Sequence, residues 1–371
     1  MSTPAGTILT PDGWVSGSVE IAHGRIVAVR GRALARGDAP TPPFILPGYI
    51  DLHVHGGAGA DCMGGEASLR KMLRYHAARG TVAMAPTTYT TEPDAIRGAL
   101  ADIAAVKVRP APGEPVVFGA HLEGPFINPE KLGAQPPFTR AGDAALADAW
   151  AAQCPLVVAT VAPEITGGLD VVRALAKHRC RVQIGHSLAG DAEAEAAFAC
   201  GCTGFTHLFN AMSGAHHREQ GVAGYALAHA KYAELICDLC HVHKTAVLAA
   251  RRAIPLLYAI TDASSAAGLA DGKHRFAGRQ VVKRGPLITL EDGTTLAGSA
   301  ITMADALKNL VTIGVPLPEA SQMTATRQAD YLGLSDLGRI VAGARACLVH
   351  LGERLEVLAV WIDGEAIDAA R

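Results

Sequence analysis

The middle of the chain alternates between two hydrophobic periods. Short apolar runs of the kind that form strands are separated by segments whose apolar residues recur at helical spacing. The runs that predict strands lie near residues 49–54, 81–86, 116–122, 156–161, 181–185, 203–206, 234–237 and 256–261. Helical patterns between them include Ala67–Arg79, Pro93–Val106, Ala144–Ala152, Leu169–Lys177 and Asp191–Cys200. Eight such β-α units over about 290 residues predict an α/β fold, a (β/α)8 TIM barrel with insertions.

One insertion follows the eighth predicted strand, at residues 275–298. Leu287–Leu290 and Thr294–Leu296 flank the turn Glu291-Asp292-Gly293 and predict a hairpin. An open, doubly wound sheet is the alternative for the centre of the chain. It would be favoured by a glycine fingerprint after an early strand, and the sequence has none there.

Both ends of the chain have the pattern of short strands. Residues 7–30 alternate and turn like β-structure, and residues 31–43 predict a loop. Strand-like runs recur near the C-terminus at Arg339–Val341, Ala346–Leu351 and Leu355–Ile362. Neither end can bury a core alone. We therefore expect residues 1–47 and 339–371 to form one small β-sandwich domain beside a barrel spanning residues 48–338.

Composition and charge narrow the class of protein. Hydrophobic residues make up 49% of the chain and charged residues 18%, which permits a large buried core. The net charge is −2 and there is no basic stripe, which argues against a nucleic-acid partner. The sequence has neither a run of about 18 apolar residues for a membrane span nor the pattern of a signal peptide. We therefore expect a cytoplasmic protein without a membrane partner, its eight cysteines being reduced thiols.

Two histidines stand at the end of the first predicted strand. His53 and His55 lie in Pro47–Gly57, which runs from a Pro-Gly turn through an apolar strand into glycine. Residues i and i+2 of a strand point to the same side, so the two imidazoles should meet at one point. Such a pair suits a first-row divalent metal. Taken by itself, it is also compatible with ordinary polar residues at a strand end.

Other predicted strands deliver similar side chains at the same position. Active sites of barrels lie at the C-terminal ends of the strands. The series that begins with His53 and His55 continues with Glu123, His186, His207, His241 and Asp262. Each member alone has an ordinary explanation, such as a helix N-cap for Asp262. Their repetition in strand order predicts a metal site.

The residue types suggest the chemistry. Histidines with one glutamate form a mixed N/O site that suits Zn²⁺ or Fe²⁺. Together with His53 and His55 there are ligands for two ions, and Glu123 is placed to bridge them. A metal lowers the pKa of a bound water towards ~7. Asp262 is left without a metal role, so we assign it as general base towards that water and then as acid towards a leaving amine. This combination predicts hydrolysis of a carbonyl or imine centre.

Longer motifs surround these residues. They are Pro47–Gly57, His121–Pro129, Gly185–Ser187, Thr206–Met212, Arg218–Gly221, Cys237–Val242, Thr261–Ala263 and Leu296–Ser299. On these motifs, which extend over nearly the whole chain, the protein resembles the amidohydrolase superfamily and, within it, the N-acetylglucosamine-6-phosphate deacetylases. The resemblance implies metal-dependent removal of the N-acetyl group of N-acetylglucosamine 6-phosphate in amino-sugar catabolism. It also implies one or two Zn or Fe ions per chain.

The resemblance implies roles position by position. It makes Glu123, His186 and His207 the ligands of the main ion, His53 and His55 those of a second ion, and Asp262 the catalytic acid/base. It implies a phosphosugar site formed by Ala134, Gln135, Asn210, Ala211, His241, Leu296, Ala297 and Gly298. Arg218 matches an arginine that binds the substrate phosphate across a homodimer interface.

The chain departs from the resembling family at three positions. Gln135 stands where some relatives have a histidine that polarises the substrate carbonyl. We hypothesise that a second ion at His53 and His55 takes over this task. Leu239 replaces a common glycine, which leaves the loop before His241 unspecified. Cys347 replaces an aspartate in the small domain, away from the chemistry.

Other functions stay open. The substrate is alternatively N-acetylgalactosamine 6-phosphate or another N-acylated sugar phosphate, because nothing in the sequence separates epimers. A ring deaminase also uses a His-x-His pair and an Asp on the eighth strand, but Glu123, Arg218 and the Thr206–Met212 loop argue against it. A non-catalytic phosphosugar-binding protein should have lost ligands or the base, and here all are present.

Overall fold

The computed structural model of the chain describes residues 3–35, 37–367 and 369. Residues 1, 2, 36, 368, 370 and 371 of the predicted small domain lie outside the described residues. In chain order the strands are β1 (Ala5–Thr10), β2 (Gly13–Ala22), β3 (Arg25–Ala33), β4 (Phe44–Pro47), β5 (Tyr49–Val54), β6 (Gly56–Gly57), β7 (Ala60–Asp61), β8 (Thr81–Pro86), β9 (Val116–Val117), β10 (Ala120–Glu123), β11 (Leu156–Val161), β12 (Arg181–Ile184), β13 (Cys202–Phe205), β14 (Tyr232–Ile236), β15 (Leu256–Ile260), β16 (Gly272–Phe276), β17 (Arg279–Arg284), β18 (Leu287–Leu290), β19 (Leu348–Leu351), β20 (Val357–Ile362) and β21 (Glu365–Ile367).

The helices lie mainly between the central strands. They are α1 (Glu66–Ala77), α2 (Pro93–Val108), α3 (Ala144–Gln153), α4 (Gly168–Lys177), α5 (Asp191–Cys200), α6 (Val222–His229), α7 (Lys244–Ala253), α8 (Met303–Thr312), α9 (Leu317–Ser321) and α10 (Arg327–Leu332). A 3₁₀ turn at Pro129–Lys131 and a π-helical turn at Gln322–Thr326 complete them. The five helices predicted from the sequence are confirmed, each within about two residues.

The central parallel strands follow one another around a (β/α)8 barrel, as the sequence predicted. Hydrogen-bonded ladders join β5–β8–β9, β10–β11–β12–β13 and β14–β15. Backbone hydrogen bonds connect the ladders: Leu208 N donates to Glu234 O (2.9 Å), and Asp262 N donates to His53 O (2.8 Å). The predicted third strand is split into β9 and β10. A strand such as β8 is buried along its whole length, because parallel strands have their two faces covered.

The insertion after β15 is larger than predicted. Strands β16, β17 and β18 form a three-stranded antiparallel sheet, in which β18 pairs with β17. The segment Thr294–Leu296 reaches β18 only at an isolated bridge between Thr289 and Leu296. The predicted hairpin is therefore present as this single bridge. Oδ1 of Asp292 accepts the N–H groups of Thr294 and Thr295 at 2.8 Å, so the Thr295 N–H is not available to extend the ladder.

Both chain ends form a single seven-stranded sheet in the order β21-β20-β19-β4-β1-β2-β3. Ile26 of β3 and Trp361 of β20 share one core with Ile8 and Ile45, so the sheet folds over its own apolar face. The predicted strand at Arg339–Val341 was wrong. Ile340 is buried in this core, but Gly338 and Gly343 have φ of +71° and +86°, and these turns leave the run too short for a strand.

Sheet and barrel meet at Gly48. Strand β4 ends at Pro47 and β5 begins at Tyr49. A Cβ at Gly48 would lie 2.3 Å from a methyl group of Val82, so the close approach requires glycine. All eight cysteines are free thiols. Among the described residues, no helix combines the length and the apolar character that crossing a bilayer requires.

Candidate metal centre and substrate cavity

Two groups of ligand-type side chains share Glu123 at the mouth of the barrel. His186 and His207 place their Nε2 atoms 3.1 and 3.2 Å from Oε1 of Glu123 and 3.0 Å from each other. The Nε2 atoms of His53 and His55 lie 3.4 Å apart, and that of His55 is 3.3 Å from Oε2 of Glu123. All five side chains are buried. The structure therefore brings together the five residues predicted to bind metal.

These separations fit a metal ion. Ligand atoms bound tetrahedrally to zinc at about 2.0–2.1 Å lie about 3.3 Å from each other. Three of the converging imidazoles also have their other nitrogen, Nδ1, next to an oxygen. The acceptors are Oε2 of Glu234 for His53 (2.9 Å), the carbonyl of Thr87 for His55 (3.0 Å) and the carbonyl of Lys131 for His186 (2.7 Å). Each Nδ1 donates its proton to that oxygen, so a ring that is neutral, as a metal ligand must be, has its lone pair on the converging Nε2.

Negative charge surrounds the same point. Burial opposes protonation of His53, but the charges of Glu123, Glu234 and Asp262 outweigh it and raise the pKa of His53 well above its ordinary value. His121 packs against His53 with ring centroids 4.4 Å apart. Burial and then the positive charge of His53 lower the pKa of His121 well below its ordinary value. The centre thus favours positive charge at one point, and its donor set suits a divalent ion.

Asp262 follows β15 and faces both the ligand cluster and solvent. Its Oδ1 lies 3.1 Å from Nε2 of His55 and 3.5 Å from Nε2 of His53. The side chain keeps 13% of its surface exposed. Burial by itself would raise the pKa of this carboxyl, but the positive charge on His53 and the hydrogen bond with His55 lower it to about 2. Asp262 is therefore a carboxylate that can accept a proton from a molecule in the cavity.

Three residues at the base of the cavity have left-handed backbone conformations. The φ angles are +49° for His186, +29° for His207 and +49° for Asp262. This region costs an L-residue roughly 1–2 kcal/mol, and such strain concentrates at functional sites. Each of these residues follows the end of a barrel strand, so the chain turns where the side chain enters the site.

A cavity of about 240 Å³ opens above the cluster. His55, Glu123, His186, His207 and Asp262 form its base. Of the predicted substrate residues, its walls contain Ala134, Gln135, Asn210, Ala211, His241, Leu296 and Gly298.

Comparisons with known proteins agree with this geometry. Residues 44–367 match the model of the Amidohydrolase family. The chain belongs to this family. It is therefore a hydrolase of amide C–N bonds, and the resemblance drawn from the motifs is confirmed.

Three relatives of this amidohydrolase are named as deacetylases of N-acetylated sugar phosphates. N-acetylgalactosamine-6-phosphate deacetylase of Escherichia coli O157:H7 is 37% identical over 370 residues, covering 97% of each chain. N-acetylglucosamine-6-phosphate deacetylase of Vibrio furnissii is 36% identical over 340 residues, covering 89% of this chain and 84% of its own. The crystal structure of N-acetylglucosamine-6-phosphate deacetylase from Thermotoga maritima has a TM-score of 0.89 at 31% identity and covers 100% of both chains.

Three predicted residues of this amidohydrolase do not line the cavity. His53 is fully buried beneath it. Ala297 is also fully buried, and its N–H donates to Ile288 O of the insertion at 3.0 Å. Arg218 is exposed on the loop Gly214–Gly221. Among the described residues that line the cavity there is no lysine or arginine.

The cavity also contains residues that the sequence did not single out. They are Tyr89, Gly133, Phe276, Ala277 and Thr295. Phe276 belongs to β16, and its ring stands 5.5 Å from that of His55 and 6.0 Å from that of Tyr89. The insertion after β15 therefore forms one wall of the cavity. Aromatic and small residues of this kind carry no acid-base signal, so only the fold identifies them.

The loop before His241 is now specified. Leu239, which replaces a common glycine of the resembling family, has φ of +62°, a region that glycine adopts freely. Asp238 orders the rest of the loop, since its Oδ1 accepts the N–H of Cys240 and of His241, both at 2.8 Å. Its Oδ2 lies 2.6 Å from Nδ1 of His241. The imidazole is therefore held in one orientation at the cavity wall.

Proposed function

We propose that this amidohydrolase removes the acetyl group of N-acetylglucosamine 6-phosphate and releases glucosamine 6-phosphate and acetate. One observation carries the proposal: ligand side chains from the ends of several barrel strands converge at the base of a small cavity, together with a carboxylate that faces the cavity. These side chains are His53, His55, Glu123, His186, His207 and Asp262. The Vibrio furnissii and Thermotoga maritima relatives carry the name of this activity.

The proposed metal roles follow from the two ligand groups. Glu123, His186 and His207 would hold the main ion, and His53 and His55 would hold a second ion, with Glu123 shared by the two groups. Zinc or iron suits these nitrogen and oxygen donors. When bound, such an ion polarises a carbonyl group and makes a nearby water more acidic.

Asp262 is the proposed proton carrier. Its carboxylate accepts a proton from the water that attacks the acetamide carbonyl carbon. It then gives this proton to the sugar nitrogen as the C–N bond breaks, so that the amine leaves neutral. The acetic acid left behind releases the second proton of the water to solvent and becomes acetate. The partial exposure of Asp262 to the cavity supports this role, because both proton partners belong to molecules that enter from solvent.

Two basic residues are proposed to bind the phosphosugar. Burial disfavours protonation of His241, but the hydrogen bond and charge of Asp238 and the charge of Asp262 outweigh it and raise the pKa of His241. Its imidazolium therefore has a second N–H for the substrate. The wall of the cavity in one chain holds no lysine or arginine among the described residues, which supports a homodimer in which exposed Arg218 meets the phosphate in the neighbouring site.

Two further expectations from the sequence stand as proposals. The small domain consists of residues 1–47 and 339–371, and the barrel of residues 48–338; the change from β4 to β5 at Gly48 supports this division. The protein works in the cytoplasm, where its eight free thiols would stay reduced.

N-acetylgalactosamine 6-phosphate is the second candidate substrate. The Escherichia coli relative with that name matches 97% of this chain at 37% identity, slightly more than the Vibrio relative. The two sugars differ in the configuration of one hydroxyl group. The cavity accordingly decides between them through hydrogen bonds from its walls.

A substrate panel tests the proposal. Both phosphosugars and their unphosphorylated forms are incubated with metal-loaded enzyme, and acetate and ammonia are measured separately. We expect acetate from the phosphorylated sugars, with one epimer preferred in kcat/KM, and much less from the unphosphorylated sugars. Ammonia release from a panel of ring amidines without any acetate release would favour the deaminase alternative and contradict the proposal.

A further inference from the structure

Glu234 is a fully buried carboxylate in the middle of β14, below the strand ends that form the site. Its side chain accepts hydrogen bonds from three separate segments of the barrel. Oε2 lies 2.9 Å from Nδ1 of His53 and 3.3 Å from the backbone N–H of His207, and Oε1 accepts the hydroxyl of Tyr258 at 3.3 Å. A buried carboxylate with these donors has a fixed position.

His53 differs from the other clustered histidines in the group that accepts its Nδ1 proton. His55 and His186 donate to neutral backbone carbonyls. Nδ1 of His207 has no hydrogen-bond partner in the part of the chain that the structure describes. His53 donates to a carboxylate, which makes its Nε2 a stronger electron donor towards a cation than a carbonyl would.

Glu234 is itself held from below. The Tyr258 hydroxyl that donates to Glu234 accepts a hydrogen bond from Nε2 of Gln183 at 2.8 Å. Tyr258 and Gln183 are both fully buried. The orientation of His53 therefore depends on the buried hydrogen-bonded chain Gln183–Tyr258–Glu234 as well as on its own strand.

We propose that Glu234 is the positioning residue for the second ion: it fixes the orientation of His53 and strengthens Nε2 as a ligand. The main ion depends on it far less, since its proposed ligands Glu123, His186 and His207 receive at most a backbone contact from the Glu234 side chain. This inference rests on the metal roles proposed above for His53 and His55, and it is independent of which sugar the enzyme accepts.

Zinc titration of the metal-free full-length protein tests the inference. Bound Zn²⁺ per chain is measured by elemental analysis after dialysis against buffered free Zn²⁺, without substrate. Glu234→Gln retains an oxygen to accept from His53 but removes the charge. We expect two ions in the unchanged protein. In Glu234→Gln we expect an unaltered first affinity and a second affinity about 10- to 100-fold weaker.

Two further variants serve as controls. Tyr258→Phe removes a hydrogen bond to the other oxygen of Glu234 and leaves the His53 contact, so its second affinity should fall by less than that of Glu234→Gln. His53→Ala should bind one ion, and adding Glu234→Gln to it should change nothing further. The inference is overturned if Glu234→Gln binds both ions as tightly as the unchanged protein, if it weakens both equally, or if the unchanged protein binds a single ion.

If Glu234→Gln does not fold, the inference can still be tested on the unchanged protein. The His53 Nδ1 proton should give a downfield, slowly exchanging imidazole NMR signal in the zinc-loaded protein, assigned by its loss in His53→Ala. Absence of this signal overturns the inference. Because no readout involves substrate, a failure of the proposed deacetylation would leave these results unaffected.

Discussion

Gln135 donates a hydrogen bond from its side-chain amide to Oε2 of Glu123, while its amide oxygen accepts the backbone N–H of Thr90 at 2.7 Å. The Thr90 contact decides which end of the amide faces Glu123, because a backbone N–H needs an oxygen acceptor. Gln135 therefore steadies the carboxylate that both ligand groups share. This placement gives it a structural task beside its position at the cavity wall.

We expect Gln135→Ala to lower kcat by about ten- to a hundredfold, since a hydrogen bond to a charged group is worth about 1.5–3 kcal/mol. Replacing His53 and His55 together with alanine should cost at least about tenfold more, because it removes a second ion rather than one contact to Glu123. Steady-state kinetics with zinc-loaded enzymes measure both. Comparable losses in the two variants would count against polarisation of the carbonyl by a second ion.

Asp262→Asn should lower kcat for deacetylation by about 10²- to 10⁴-fold, because the amide side chain cannot accept and return the proton. The bound zinc per chain should stay unchanged, since Asp262 is not a proposed ligand. Acetate release and elemental analysis on the same preparation separate the two effects. Full activity of Asp262→Asn would show that another group moves the proton.

Gly298→Ala should disturb Asp262 through the backbone. Gly298 has φ of +63°, and a Cβ there would lie 2.9 Å from the carbonyl oxygen of Asp262, whose position it must shift. We expect a loss of about 1–2 kcal/mol of unfolding free energy from the backbone conformation and a reduced kcat.

Gly314→Ala is the matched control. Gly314 has φ of +94°, and a Cβ there would meet no atom within 4 Å. Both variants should therefore lose stability in thermal unfolding, but only Gly298→Ala should lose kcat. Equal kcat values in the two variants would show that the backbone position of Asp262 does not affect the reaction rate.

His241 should make substrate binding depend on pH. The pKa of His241 is raised above its ordinary value of about 6.5. The imidazolium, with its second N–H at the cavity, is therefore present below the raised pKa and is lost as pH rises through it. We expect KM for the phosphosugar to increase as pH rises through this raised pKa. In His241→Asn, KM should be high throughout and this dependence should disappear.

His178→Asn controls for the change of residue type. His178 lies at the surface, where its Nε2 contacts Asp148 at 3.0 Å, away from the cavity. The pH dependence of KM in His178→Asn should match that of the unchanged enzyme. An unaltered pH dependence of KM in His241→Asn would assign that dependence to another group.

The sequence predicted the parts of this molecule that repeat. Eight runs of β-prone residues fixed the barrel, and a ligand-type residue after a strand was enough to place His186 or Asp262, because the ends of parallel strands meet on one face. Arg339–Val341 was predicted wrongly, since a pattern of apolar residues does not distinguish a strand from a buried turn between glycines.

Glu234 is a residue whose burial the sequence signals but whose partner it does not identify. A carboxylate in the apolar strand Tyr232–Ile236 must have a buried partner, so the signal was present. The identity of the partner was not, because His53 lies 181 residues earlier in the chain. Phe276 gave no signal at all, since its place in the cavity depends on how the insertion folds over the barrel.

At His186, His207 and Asp262 the left-handed backbone means that thermal stability and catalysis favour different residues. Glycine at any of these positions would relax the local chain and remove a side chain on which the proposed reaction depends. A collection of variants selected only for survival at high temperature should therefore accumulate inactive members at these three turns. At these three turns, the substitution that most relaxes the backbone is also one that should abolish the proposed reaction.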